Sequence, residues 1–177
     1  DYDNYNEIDQ MTATLTLTKK VIEGISFTGK TVTYNGEVHS LSITGVLPSG
    51  VEVSYENNDK SQAGTYEVVA KFKDTTGNYA DLDNLTAKLV INKATYDMSG
   101  VSFDDITDVY NGKEHVLVIT GNLPEGVGVS YTANKLTNVG TLEVTATFTG
   151  DYDNYHEIKS KTATLTITKA KYDMSGV

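Results

Sequence analysis

The chain has 177 residues, no cysteine and no tryptophan, and a formal net charge of −10. The missing cysteine excludes disulfides, thiolate metal ligands and cysteine nucleophiles. The acidic balance argues against nucleic acid and anionic membrane surfaces, because both require clustered lysine and arginine. No apolar run approaches the roughly 20 residues that span a bilayer as a helix. A hydrophobic content of 38% is nevertheless that of a chain that folds.

The first element returns later in the chain. Residues 1–20, DYDNYNEIDQMTATLTLTKK, closely match residues 151–170, DYDNYHEIKSKTATLTITKA. We interpret residues 1–20 as the C-terminal part of a repeat, so that the chain is expected to be a piece of a longer protein. The strand predicted there has no domain of its own, and an unpaired apolar edge invites pairing. It could pair with the second unit or with another chain, which would give a strand-swapped dimer.

The duplication runs through the whole chain. ITGVLPSGVEVSY at 43–55 returns as ITGNLPEGVGVSY at 119–131, displaced by 76 positions. A fixed period indicates an array of repeated units. We therefore predict a complete unit at 21–94, a second at 95–170, and the start of a further one at 171–177.

Strands are predicted where apolar residues alternate with polar ones. Threonine, valine, tyrosine and isoleucine dominate these stretches and favour a half-buried pleated surface. No amphipathic helix of normal length is found. The residues predicted to share a buried face are Leu41 with Ile43; Val51, Val53 and Tyr55; Tyr66, Val68, Ala70 and Phe72; Ala87, Leu89 and Ile91; and, in the second unit, Leu117 with Ile119 and Val127, Val129 and Tyr131.

Turn residues separate these stretches. Asn35-Gly36, repeated as Asn111-Gly112, is a candidate type I′ turn that would join two strands as a hairpin. The Leu-Pro-x-Gly sequences at 47–50 and 123–126 pair a fixed proline with a permissive glycine and predict a tight turn. The longer loop 73–83 has room for one helical turn.

The pattern predicts an all-β chain of two tandem small β-sandwich domains. In the stretch Ala63-Gly64-Thr65-Tyr66-Glu67-Val68, Tyr66 stands two residues before a core position, as in the tyrosine corner of immunoglobulin-like sandwiches. The second unit has Leu142 at that place. A β-grasp-like module is the alternative fold, because only five or six strands are predicted per unit.

The turn and core residues together resemble a known family. YNG, HSLSITG, LPSGVEVSY, AGTYEVVAKF and TAKLVINKA are similar to MBG-type and related immunoglobulin-like tandem repeats of Gram-positive bacterial cell-surface, adhesin-like proteins. The resemblance covers nearly the whole chain. It implies extracellular display on the cell surface or in the cell wall. It carries over no functional residues.

Nothing in the sequence predicts an enzyme. A catalytic pair needs partners within hydrogen-bond reach, and the three histidines, His39, His115 and His156, have no such partners by spacing. We interpret them as surface or strand-edge residues. No cofactor is predicted either, since no phosphate-binding loop or zinc motif occurs.

Calcium is the one metal that the sequence raises. Asp151, Asp153 and Asn154 offer oxygen ligands at closely spaced positions, which suits Ca²⁺. The middle copy, Asp74 to Gly77, lacks the second carboxylate. We favour an acidic, asparagine-rich surface turn over a metal site.

Tyrosine is the recurrent aromatic residue, with 12 copies. Exposed tyrosines can stack on sugars, which makes the matched pair Tyr34 and Tyr110 the candidate ligand contacts. Recurrence in each unit favours packing instead. Lys93, next to the unit boundary, is expected to be a solvated linker residue.

The favoured function is that of structural stalk or spacer repeats, with neighbouring repeats of the same chain as partners. The alternative is a module that binds a host glycan or protein through repeated weak sites, whose avidity comes from tethering. Nucleic acid and membrane insertion are excluded as partners on the grounds above.

Overall fold

The computed structural model of the chain describes residues 3–172 and residue 174. In the first unit, four strands form one mixed sheet in the order β1-β4-β3-β2. β1 runs parallel to β4, and the other pairs are antiparallel. The strands are β1 (Lys30–Thr33), β2 (Val51–Glu56), β3 (Gly64–Asp74) and β4 (Leu85–Asn92).

The second unit repeats this topology. Its main sheet has the order β5-β10-β9-β7, with β5 parallel to β10, and β6 pairs with β8 in a separate two-stranded sheet. The all-β prediction is therefore confirmed, and no described residue lies in a helix, so none belongs to a helix that could span a membrane. The strands are β5 (Ile106–Val109), β6 (His115–Val116), β7 (Gly128–Tyr131), β8 (Lys135–Leu136), β9 (Gly140–Thr149) and β10 (Lys161–Thr168).

A thin second layer covers one face of each main sheet. In the first unit it is held by isolated bridges, Ser26 to Thr44 and His39 to Lys60. The second unit repeats the first of these as Ser102 to Thr120, and its His115 to Leu136 pair corresponds to the His39 bridge. Because extended chain covers the sheet among the described residues, each unit is a small immunoglobulin-like sandwich and not a β-grasp module.

The core lies between these two layers, and the predicted strand faces are the ones that point into it. Val68, Ala70 and Leu89 are fully buried, and their alternating neighbours face outward. Leu41, which belongs to the second layer, packs in the same core cluster. In the second unit, the corresponding core consists of Phe103, Leu117, Val144, Ala146, Phe148, Ala163 and Leu165.

One tyrosine in each unit ties the two layers together. The Tyr55 hydroxyl accepts a hydrogen bond from the Ile43 backbone N–H at 2.9 Å. Tyr131 accepts the same bond from Ile119 at 3.0 Å. In each unit this backbone N–H is not paired with a neighbouring strand. The tyrosine hydroxyl supplies the acceptor that a buried backbone donor needs.

The tyrosine corner is present in the first unit. The Tyr66 hydroxyl donates to the carbonyl oxygen of Gln62, four residues upstream, at 3.0 Å. Val68 occupies the predicted core position and has no exposed surface. Leu142 has no hydroxyl, so the second unit keeps the packing at this position without the bond.

Two local predictions are wrong. A type I′ turn needs positive φ at both central residues; Gly36 has φ +80°, but Asn35 does not have positive φ. The Asn35 side-chain oxygen instead accepts from the Glu37 N–H at 3.0 Å and faces His39 Nε2 at 2.9 Å. The chain then passes to the second layer, so there is no hairpin here.

The predicted helical turn within 73–83 is also absent. The Asp74 carboxylate accepts from the N–H groups of Thr76 and Tyr79 at 2.8 and 2.9 Å, and this bonding shapes a compact turn instead of a helix. The Leu-Pro-x-Gly prediction is confirmed: Val51 N donates to Pro48 O at 3.1 Å, with Gly50 at φ +82°.

The segment before the first unit forms no strand. Residues 6–19 belong to no strand or turn, and Leu15 and Leu17 are 85% and 87% exposed. The alternating pattern of residues 12–18 is therefore present without the sheet that would bury it.

Candidate functional site

The most organised polar site of the molecule is a turn at residues 151–156, directly after β9, where the second unit meets the first. Asp151 forms the turn: its carboxylate accepts from the Asn154 side-chain amide at 2.9 Å. The Tyr155 N–H donates to the Asp151 carbonyl at 2.9 Å. Bonding from the Asn154 side chain is the main reason that the Asp151 pKa is lowered from its ordinary value. We call residues 151–156 the docking turn.

Asn154 connects the docking turn to the first unit through hydrogen bonds. It is the one buried polar residue among the described residues, with 4% exposure. Its side-chain oxygen accepts from the Ala63 N–H at 2.8 Å. Its backbone carbonyl accepts from the Ala94 N–H at 2.9 Å, and the His156 N–H returns a bond to the Ala94 carbonyl at 2.8 Å. Both strand ends of the first unit, before β3 and after β4, are thus capped by the second unit.

Three tyrosine rings pack together at this contact between the first unit and the docking turn, which we call the joint. The Tyr155 ring stacks on Tyr96, with centroids 4.0 Å apart, and meets Tyr34 edge to face at 5.4 Å. The Tyr96 hydroxyl accepts from the Asp151 N–H at 2.9 Å. Offset and edge-to-face pairs are the favourable arrangements for aromatic rings. Tyr34 belongs to the first unit and the other two rings to the second, so the cluster spans the boundary.

Lys93 is exposed, as expected for a linker residue, and it also contacts the docking turn. Its ammonium group donates to the Tyr152 carbonyl oxygen. The same positive charge contributes, as the smallest of several causes, to the lowered pKa of Asp151.

The backbone bridge of this contact also occurs before the first unit. Lys20, which corresponds to Ala94, donates its N–H to Asn78 O at 3.0 Å and accepts from Ala80 N at 2.9 Å. Asn78 and Ala80 are displaced by 76 positions from Asn154 and His156. A two-bond parallel bridge therefore fixes the residue after each last strand to the corresponding turn of the next unit.

The calcium candidates lie in this docking turn. Both carboxylate oxygens of Asp151 accept hydrogen bonds from Asn154, whose own oxygens bond to Ala63 and Ala94. Asp153 is exposed. Among residues 3–172 and 174, no three histidine, aspartate or glutamate side chains gather in a way that could hold a metal ion. These oxygens organise the turn, and calcium binding stays a prediction to be tested.

The two candidate ligand tyrosines have different surroundings. Tyr34 is half-buried and is covered by Tyr155. Tyr110, its counterpart, is 41% exposed. His39 and His115 bond within their own turns, to Asn35 and Asn111, and His115 also pairs with Asp108 at 2.8 Å. In the part of the chain that the structure describes, no histidine side chain bonds a serine, threonine or lysine side chain.

Sequence reasoning found the residues of this joint but not their role. The recurrence of Asp-Tyr-Asp-Asn-Tyr and of a lysine before each boundary was the available signal. Ala63 and Ala94 could not have been found, because their backbone and not their side chains makes the contact.

Comparison with protein families gives a match to the MBG domain at two places, residues 24–95 and 99–171, which together cover most of the chain. Comparison with curated protein sequences gives no match.

Among solved structures, the chain is similar to titin domains z1z2 in complex with telethonin, at 16% identity and a TM-score of 0.36, over 89% of this chain and 100% of that one. It is similar to Drosophila N-cadherin EC1-4 at 9% identity and a TM-score of 0.33, over 84% of this chain and 50% of that chain. Fibronectin(III)-like modules of Clostridium thermocellum CbhA match at 11% identity and a TM-score of 0.26, over 82% and 95%. Such distant likeness carries no argument about function.

Proposed function

We propose that this chain, which belongs to the MBG domain family and carries the domain twice in tandem, is a non-catalytic structural spacer that holds successive domains at a set orientation. The observation that carries the proposal is the repeated backbone bridge between a last strand and the next unit. Ala94 is bridged to Tyr155 in the same way as Lys20 is bridged to Tyr79. A flexible tether would need no such bonds. In a spacer, each contact that fixes the orientation between two domains keeps the array extended.

The kinds of contact in the joint support a fixed orientation. Backbone hydrogen bonds from Asn154 and His156 constrain distance and direction together. The stack of Tyr155 on Tyr96 with an edge contact to Tyr34 adds apolar area. Interfaces within a chain are expected to allow relative motion unless they are large and hydrophobic, so a fixed orientation here depends on these directional bonds and on the ring contacts.

A non-catalytic role is supported by the hydrogen bonds of the aspartate side chains whose pKa values are lowered. The side chains with lowered pKa values, Asp74, Asp97 and Asp151, are bonded to neighbours within their own turns. A perturbed pKa points to a functional site where desolvation and a specific charge partner in a cleft cause it, whereas a hydrogen bond within the turn is the first cause for each of these three carboxylates. Here they stabilise turns.

We place the protein outside the cell, as part of a bacterial cell-surface, adhesin-like protein. The family resemblance and the tandem arrangement support this placement. A cysteine-free sandwich is stable without disulfides in either compartment, so composition does not oppose it. Detection of the protein at the surface of intact cells with an antibody, without permeabilisation, tests the location.

The spacer proposal is tested by small-angle scattering at concentrations extrapolated to zero. We expect an elongated monomer with a maximum dimension that changes little with temperature below unfolding. Tyr34→Ala should broaden the distance distribution, because it removes the ring of the first unit that Tyr155 meets edge to face. Tyr110→Ala, at the matched position where no ring of residues 3–172 contacts Tyr110, is the control and should leave the distribution unchanged. A wild-type profile of one compact globule would contradict the proposal.

The alternative role, binding of a host glycan or protein, uses the same tyrosines. Tyr34 lies against Tyr155 in the joint, so it is unavailable to a sugar wherever a following unit docks. A glycan array probed with the chain and with Tyr110→Ala separates the two roles. Saturable binding that Tyr110→Ala abolishes would favour the alternative.

A further inference from the structure

In each unit, the first strand of the main sheet lies beside the last strand and runs parallel to it. β1 is paired with β4 over its whole length, and the Tyr34 N–H extends the pair by donating to the Asn92 carbonyl at 2.8 Å. In the second unit β5 is paired with β10 in the same way, and the Tyr110 N–H donates to the Thr168 carbonyl at 2.9 Å. We call β1–β4 and β5–β10 the terminal pairs.

The parallel direction decides how tension along the chain acts on a terminal pair. The chain enters the main sheet of the first unit at the start of β1 and leaves it at the end of β4. Because the strands are parallel, these two points lie at opposite ends of the pair. A pull on both sides of the unit therefore slides the two strands along each other and loads all hydrogen bonds between them at once. The second unit has the same order of strands.

The contacts that precede a terminal pair are weaker than the pair itself. In both units the chain before the pair is held by two isolated bridges, each of two backbone hydrogen bonds. Separation of the terminal pair, in contrast, also exposes apolar surface to water. Val32 of β1 packs against the first core, and Ile106 of β5 packs against the second. The terminal pair is therefore the main resistance of each unit to a pull along the chain.

The terminal pair of the second unit carries additional side-chain bonds. Each of them joins β10 to the chain segment that enters the unit at residues 101–108. The bonds run from the Lys161 ammonium group to the Val101 carbonyl at 2.8 Å, from the Thr164 N–H to the Asp105 carboxylate at 2.7 Å, and from the Thr168 hydroxyl to the Asp108 carbonyl at 3.0 Å. The lysine bond is partly buried, so water competes with it less than with the other two.

The first unit lacks the side chains that form two of these bonds. Leu85 and Gly29 stand 76 positions before Lys161 and Asp105, and neither has a side-chain donor or acceptor. At Gly29 the chain also lies close to β4, since an added Cβ would be 2.6 Å from the Lys88 carbonyl oxygen. The two units thus share one arrangement of strands but differ in the bonds that cross the terminal pair.

We propose that each unit resists tension along the chain through its terminal pair, and that the second unit unfolds at a higher force than the first because side-chain bonds reinforce its pair. The inference concerns the inside of each unit, so it does not rest on the fixed orientation proposed for the joint. Under rising tension the chain lengthens in two steps. The first unit unfolds while the second remains folded.

Single-molecule force spectroscopy on the full chain, held at its two ends, tests the proposal. The wild type should show two unfolding events at different forces. Lys161→Leu introduces the residue that the first unit has at this place, so the variant is expected to fold. It should lower the higher force and leave the lower force unchanged. At a fixed force it should raise the unfolding rate about fivefold, which corresponds to about 1 kcal/mol for one lost hydrogen bond.

Lys161→Leu combined with Asp105→Ala and Thr168→Val removes all three side-chain bonds and should bring the two forces together. Tyr131→Phe is the matched control, because it removes a hydrogen bond between the layers of the same unit and outside the terminal pair. It should lower the free energy of unfolding in denaturant but change neither force. A loss of force in Tyr131→Phe as large as in Lys161→Leu would show that resistance follows overall stability, and the proposal would be overturned.

The direction of pulling gives a second test. The chain has no cysteine, so Glu52→Cys with Lys73→Cys provides two unique attachment points, exposed and paired across β2 and β3. A pull between them separates the two strands from one end and breaks their bonds in turn. The first unit should then open at a force several-fold lower than in a pull on the chain ends. Equal forces in the two directions, or one common force for both wild-type units, would overturn the proposal.

Discussion

The ring of Tyr155 lies flat on the ring of Tyr96, with 4.0 Å between centroids and 13° between planes, while its edge meets Tyr34 of the preceding unit. The stack holds the docking turn in shape, and the edge contact holds the turn against its neighbour. Tyr96 has 8% exposure and lies against this ring. Folding of the second unit and its attachment to the first are therefore linked through one side chain.

Tyr155→Ala should destabilise the chain by about 2 kcal/mol, because two aromatic contacts and their buried area are lost. Chemical denaturation followed by tyrosine fluorescence measures this change. Tyr5→Ala, in the same Asp-Asn-Tyr sequence but 79% exposed, is the control and should change the free energy of unfolding by less than about 0.5 kcal/mol. Equal effects of the two substitutions would show that the ring contacts contribute nothing.

Asn154→Ala should cost about 1–3 kcal/mol, since it leaves the Ala63 N–H without its acceptor in a part-buried position. The same substitution removes the amide that bonds the Asp151 carboxylate. Thermal unfolding by calorimetry measures the loss. Asn4→Ala is the matched control, because Asn4 is exposed, and a melting temperature lowered equally by both would contradict the assigned role.

Tyr55→Phe and Tyr131→Phe should each cost about 1 kcal/mol, because each leaves a backbone N–H of the second layer unbonded. The two costs should agree, since both units use the bond in the same way. Tyr66→Phe should cost less, because the Gln62 carbonyl is exposed and can bond water instead. Denaturation curves of the three variants give the comparison, and unequal values for Tyr55 and Tyr131 would show that the units are not equivalent.

The strand faces could be predicted from the sequence, and the joint could not. Alternation placed Val68, Leu89 and Leu117 in the core because the two-residue period of a strand is set by backbone geometry alone. The Asn35-Gly36 turn was mispredicted because Asn35 uses its side chain to bond Glu37 and so leaves the main chain at negative φ.

The joint depends on atoms that carry no sequence signal. Asn154 is recognised by the main-chain N–H groups of Ala63 and Ala94, and any non-proline residue offers that group. Only the recurrence of the Asp-Tyr-Asp-Asn-Tyr sequence marked the segment, and recurrence alone does not distinguish a core residue from an interface residue.

Acid should loosen the turn that follows β3. Hydrogen bonds from the Tyr79 backbone, the first cause, and from Thr76 lower the Asp74 pKa from 3.8 to about 2. A carboxylate whose pKa is depressed on folding stabilises the fold above its unfolded pKa, and this contribution is lost as pH falls through the folded pKa. The loss attributable to Asp74 therefore lies between about pH 4 and pH 2.

Asp74→Asn should remove that part of the pH dependence, because an amide does not titrate, and it should also lower stability at neutral pH, because it replaces one of the two oxygens that accept from Thr76 and Tyr79. Melting temperatures of the wild type and the variant across this range measure the difference. Parallel curves for the two proteins would contradict the role of the carboxylate.

Calcium should leave the melting temperature unchanged. The oxygens of Asp151 and Asn154 are engaged in hydrogen bonds within the docking turn and across the joint. Scanning calorimetry in millimolar CaCl₂ and in chelator makes the comparison, with Asp153→Asn as a variant that should be equally insensitive. A calcium-dependent rise in the wild type, absent from Asp153→Asn, would establish a metal site.

The central claim, that the joint fixes the orientation of successive domains, is tested most directly by residual dipolar couplings of backbone amides in the full chain. Couplings from β1–β4 and from β5–β10 should fit one alignment tensor with equal magnitude in the wild type. Tyr155→Ala should give two tensors of different magnitude. Two different tensors in the wild type would mean that the domains move independently, and the spacer account would then be wrong.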